Sequence, residues 1–195
     1  MTNPGFAEDI VPARLLAHLD KTDKTTWNNT SAEARNLLSS FVITNNIRVA
    51  FLAFAAGIAF MLGSVYVLAF NGVYIGAVAG LSHVHGLSLA LWSFVSPHGY
   101  IELTAIFIAG GAGLKMGYAL IAPGLFTRKR ALTEAAKTAV RLLGGCIALF
   151  LIAGVIEGFI SPSELPPSVK IGIGAMTGVV LFQYLFRAGV TQNSR

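Results

Sequence analysis

Cysteine is almost absent from this 195-residue chain, where Cys146 stands alone. A single cysteine excludes a disulfide scaffold and any metal centre built on a cysteine cluster. Charge is the second scarcity. Asp, Glu, Lys and Arg make up 12% of the residues, about half the ~25% of an ordinary soluble domain. The nine acids and fourteen bases are also unevenly spread, and the 53 residues from Val49 to Ile101 contain none of them. As one helix that run would extend ~80 Å at ~1.5 Å per residue, against a hydrocarbon layer only ~30 Å thick. It must fold back on itself, and a water-soluble globule is excluded. The net charge of +5 does not point to nucleic acid, because the bases flank apolar spans without interleaved aromatics. The expected fold class is all-α: a polytopic transmembrane bundle of about five spans with glycine-rich helix packing.

What is present divides the chain into an extramembrane segment (1–43), a transmembrane domain (44–189) and a polar tail (190–195). Thr30 and Glu33 have capping-box spacing ahead of a helix over Ser31–Ile43, with Ala34, Leu37, Leu38 and Phe41 on one face. Met1–Asp9 lacks the basic start and apolar core of a signal peptide. The first span is expected over Val49–Phe70, with a turn at Asn71-Gly72. A second runs from about Val73 to Val95, where Ser96-Pro97-His98-Gly99 should break the helix. A third covers about Tyr100–Ile121 and stops at Pro123-Gly124. After a basic amphipathic stretch, Thr127–Leu142, come a fourth span, Leu143–Ile160, and a fifth near Ile171–Phe186.

Orientation follows from the bases. The 127–141 loop holds Arg128, Lys129, Arg130, Lys137 and Arg141 against Glu134 alone, which places it in the cytoplasm. Counting spans from there puts the N-terminus outside and the C-terminus inside. Residues 1–48, with five acids and five bases and no signal sequence, cross awkwardly; either a further span lies upstream of this chain, the reading preferred here, or the first hairpin inserts by itself.

Two kinds of residue interrupt the apolar background. Gly72, Gly76 and Gly80 recur at every fourth position, as do Gly113 and Gly117. Such small-residue faces let helix backbones approach closely in lipid, and they predict tight packing within or between chains. Among polar groups, Glu102, Glu157, His83, His85 and His98 are placed in the outer half of the membrane by their distance along the helices from the basic loop and the Asn71-Gly72 turn. His98 and Glu102 lie one helical turn apart. Three readings of the cluster stay open: a structural network, a proton or ion path, and a metal site. Lys115 is expected at the cytoplasmic interface. No nucleophile–base pair, phosphate loop or cofactor fingerprint stands out, so no cofactor is expected, and an enzyme, a metal-dependent hydrolase, stays open only as the third reading behind scaffold and transporter.

Several short segments resemble the stage II sporulation protein M family of integral membrane proteins. They are Thr44-Asn45-Asn46-Ile47, Phe70-Asn71-Gly72 with Gly76, and Pro97-His98-Gly99 followed by Glu102-Leu103-Thr104-Ala105-Ile106. Ala109-Gly110-Gly111-Ala112-Gly113-Leu114, Ala122-Pro123-Gly124 and Ile156-Glu157-Gly158-Phe159-Ile160-Ser161-Pro162 complete the series. His98, Glu102 and Glu157 fall on the family's motif positions, whereas His83 does not. The resemblance implies a multi-pass protein of the cytoplasmic membrane. Its sporulation member works with peptidoglycan-degrading partners as a membrane anchor, and other members tend to be encoded beside MoxR-type ATPases and von Willebrand A-like proteins. Larger relatives carry an extra N-terminal region and span, which puts engagement of those partners in question here. The function expected is an envelope scaffold that recruits protein partners and self-associates in the bilayer. A transporter or channel lined by His98, Glu102 and Glu157 is the alternative.

Overall fold

The computed structural model describes residues 10–11 and 32–193, with side chains at 32, 34, 35, 38 and 188–193 excepted. Thr30 of the expected capping pair, the segment Met1–Asp9 and the last two residues of the tail lie outside the described residues. Five helices follow one another: α1 (Ala32–Ala56), α2 (Leu62–Val84), α3 (Ser88–Ile121), α4 (Arg128–Phe159) and α5 (Pro167–Asn193). No strand occurs among the described residues. All five helices are long and apolar enough to cross a membrane, the first through its portion Ser39–Ala56. The chain is therefore an all-helical membrane protein.

The number of spans matches the expectation, but two of its breaks lie elsewhere. Asn71-Gly72 is not a turn; both residues lie inside α2. Nor does Pro97 end a helix, for α3 runs through Ser96-Pro97-His98-Gly99 unbroken. Lipid supplies no hydrogen bonds to a freed backbone, so turn-prone residues there remain helical when neighbouring helices can compensate. The first real break comes at residues 57–61, a tight corner in an apolar sequence where Phe60 (φ 49°) and Met61 (φ 72°) take left-handed conformations. The second is a glycine-capped helix end. Gly86 (φ 72°) donates to the His83 carbonyl, and Leu87 donates to the Ser82 carbonyl at 2.7 Å. Those paired bonds close α2 in the manner of a Schellman motif, which needs the left-handed residue that glycine supplies.

At the third connection, Thr127 caps α4 by accepting from the Arg130 backbone N–H. The α4 helix then presents Ala131, Ala135 and Ala139 inward, continued by Cys146, Phe150, Ala153 and Glu157. Successive steps of three, four and seven residues keep these on one seam. That seam faces α3, the central helix, which touches all four others. Its buried residues include Glu102, Ala105, Ala109, Ala112 and Met116, and Cys146 Sγ donates to the Ala105 carbonyl. Small residues on both sides let the two helices close together. By contrast, the basic side chains of the first turns of α4 (Arg128, Lys129, Arg130, Lys137 and Arg141) are exposed.

Candidate polar centre of the bundle

Three helices deliver the buried polar side chains to one place. On α1, Ser39, Asn46, Ala50 and Ala53 follow the spacing of a single face, and that face meets α3 and α4. Helix α3 contributes His98 and Glu102 one turn apart, and α4 contributes Glu157 from its last turn. His98, Glu102 and Glu157 are each 1% exposed. His98 Nε2 lies 3.8 Å from Glu102 Oε2 and 3.9 Å from Glu157 Oε1, beyond hydrogen-bonding range. One ligand-type atom from each of the three residues falls within 4.8 Å of the others.

Around this trio stands a ring of orienting bonds. Asn46 Nδ2 donates to Glu102 Oε2. His98 Nδ1 pairs with Ser161 Oγ at 3.0 Å, which turns Nε2 toward the carboxylates. Ser39 Oγ donates to the Glu157 carbonyl. Lys170, buried at the start of α5, donates to the carbonyls of Ser161 and Ser163 at 2.8 and 2.7 Å and so closes the same end of the bundle. Within this ring, His98 Nε2, Glu102 Oε1 and both carboxylate oxygens of Glu157 are buried and make no hydrogen bond.

Charge balance limits what the trio can be. With a neutral imidazole and two ionised carboxylates it carries −2, and protonating the imidazole still leaves −1. An uncompensated charge in an apolar interior costs several kcal/mol, so beyond what the buried Lys170 ammonium at the same end offsets, protons or a cation must make up the difference. The arrangement can lock three helices, hold exchangeable protons or ligate a cation.

Of the five polar residues singled out from the sequence, the structure brings together His98, Glu102 and Glu157. His83 and His85 sit apart at the end of α2, where His83 Nδ1 pairs with Ser88 Oγ and His85 Nδ1 with the Leu81 carbonyl. Lys115 is exposed on α3. The glycines also divide. A Cβ added at Gly113 would come within 2.6 Å of Ser64 Oγ and 2.7 Å of the Ala53 and Phe54 carbonyls, while one at Gly117 would strike the Gly57 carbonyl. Gly72, Gly76 and Gly80 have nothing within 4 Å of that position. Sequence reasoning about chemistry passed over Asn46, Ser161 and Lys170. Asn46 shares the period of Ala50 and Ala53, but amides and serines are too common for that signal to single them out.

Comparison with known proteins agrees with the motif pattern. The family model for stage II sporulation protein M matches residues 8–162. A Methanocaldococcus jannaschii protein, described as uncharacterized, is 34% identical over 123 residues, spanning 62% of this chain and 69% of the relative. No solved structure matches this chain. His98, Glu102, Asn46 and Glu157 all lie inside the matched region, and the chain belongs to the stage II sporulation protein M family.

Proposed function

We propose that this protein is a multi-pass scaffold of the cytoplasmic membrane that self-associates and recruits partner proteins for envelope assembly. One observation carries the reading: α2 is a full-length span whose small-residue ladder, Gly72, Gly76 and Gly80, has no other described residue within 4 Å of where its side chains would stand. Glycine ladders gain their packing energy from a backbone pressed against them, and here that backbone would be a second copy of α2. The exposed bases of α4 add a second contact, with anionic lipid or a cytosolic protein, once the N-terminus is placed outside and the C-terminus inside.

Cross-linking of a Gly76→Cys variant in a Cys146→Ser background tests the assembly. Disulfide-linked dimers are expected in membranes, and Gly76→Leu should shift the purified protein toward monomer. A monomeric wild type without cross-links would defeat the reading. Transport along His98, Glu102 and Glu157 is the alternative, and the near-complete burial of all three counts against an open aqueous path. Proton or ion flux into liposomes that Glu157→Gln abolishes would reverse that preference.

A further inference from the structure

The polar centre contains more ligating capacity than its hydrogen bonds use. Its imidazole nitrogen and three carboxylate oxygens are buried without partners, although leaving such atoms unsatisfied costs about 1–3 kcal/mol each and more when charged. They also converge: the donor atoms come from two helices and point into one small volume. We propose that His98, Glu102 and Glu157 form an intramembrane binding site for one divalent transition-metal ion, most suitably Zn2+. It would be held by His98 Nε2 and by oxygens of both carboxylates.

Geometry, charge and surroundings each support this assignment. Donor atoms ~2.1 Å from a tetrahedral zinc ion lie ~3.4 Å from one another. The separations of 3.8 and 3.9 Å from His98 Nε2, with all three donor atoms within 4.8 Å of one another, are wider than that, and the side chains must draw inward to meet on one ion. Both Glu157 oxygens are free of other bonds, so a bidentate carboxylate can complete four-fold coordination. A divalent cation also cancels the two carboxylate charges with His98 neutral, as metal ligation requires. An imidazole among few donors suits zinc, whereas magnesium prefers a nearly all-oxygen octahedron that keeps several waters.

The bonds surrounding the trio are those that orient ligands. Ser161 on Nδ1 fixes the His98 ring, and the Asn46 amide holds one oxygen of Glu102. Such outer partners set the tautomer and direction of ligands in metal sites. The ion would tie α3 to α4 directly and, through Asn46, hold α1 against both. This inference does not depend on self-association through α2, and a monomeric protein could still bind the metal.

Tag-free full-length protein, purified in detergent and stripped with a chelator, would be titrated with ZnCl2 and then dialysed. Stoichiometric retained zinc by elemental analysis is expected, along with a higher thermal midpoint in the loaded form. Glu157→Gln should lower affinity at least about tenfold, and Ser161→Ala by about tenfold through loss of ring orientation. If Glu157→Gln does not fold, CoCl2 added to the wild type decides. An intense visible band of four-coordinate cobalt supports the site, and the weak spectrum of hydrated cobalt overturns it. Wild-type protein that retains no more zinc than a Glu102→Gln, Glu157→Gln double variant also overturns it.

Discussion

Glu102 and Glu157 are costly residues in a span, and each is tolerated for a different local reason. Glu102 accepts from Asn46, whereas Glu157 faces His98 with both oxygens unbonded. Asn46 is therefore the residue whose loss is easiest to interpret. Asn46→Ala removes a single donor without touching the packing of Ala50 or Ala53, and leaves Glu102 Oε2 unpartnered. The expected penalty is about 1–3 kcal/mol, the cost of stranding a buried acceptor, read as a lower thermal unfolding midpoint in detergent. Glu102 and Glu157 could be suspected from sequence because charge is rare in spans. Asn46 could not be singled out, because an amide at a helix–helix contact leaves no mark in composition. Only its distance to Glu102 distinguishes it from Asn45 next door.

At the scale of elements, the decisive contact is the corner between α1 and α2 packed on α3. A Cβ on Gly57 would collide with the Gly113 backbone, and one on Gly113 with the Ala53 and Phe54 carbonyls of α1 and the Ser64 hydroxyl of α2. Ser64 Oγ also donates to the Ala53 carbonyl at 2.6 Å, joining the two arms of the corner. Gly57→Ala should then destabilise the fold by about 1–3 kcal/mol through overpacking. Gly76→Ala, with open space at its Cβ position, should leave the unfolding midpoint of the monomer unchanged. Parallel thermal unfolding of both variants checks the contrast, and equal losses would show that glycine spacing rather than contact matters. The sequence pattern marked five glycines alike, since a period of four records a face but not what lies opposite it.

For the whole molecule, the five helices are threaded so that the basic connection before α4 and the connection at residues 160–166 emerge at opposite ends of α4. Two cysteine substitutions in a Cys146→Ser background check this topology: Leu125→Cys, exposed in the loop before α4, and Ser163→Cys beyond its other end. In intact cells Ser163→Cys should react with a membrane-impermeant maleimide and Leu125→Cys only after permeabilisation. The reverse pattern would invert the bundle and place the polar centre near the cytoplasmic surface. Moving two breaks relative to the sequence reading leaves this orientation unaltered, because the number of crossings is the same.

Composition and the spacing of charge are enough to tell that the chain is helical and built for a membrane, how many apolar helices it has and which acids lie within them. Those properties follow from where charge is missing over lengths comparable to a bilayer, a signal read without knowing any contact. Where the helices break depends instead on packing between them. Asn-Gly and Ser-Pro-His-Gly are turn-formers in water, but inside a bundle the cost of unsatisfied backbone outweighs them. An unremarked apolar stretch at 57–61 bends instead, held by backbone contacts with Gly113 and Gly117. Tertiary packing likewise decided that His98 joins the two acids while His83 and His85 stay apart. The depth of His83 and His85 was counted from a turn at Asn71-Gly72 that is helical in the fold, so they come to the end of α2 while His98 lies well inside α3.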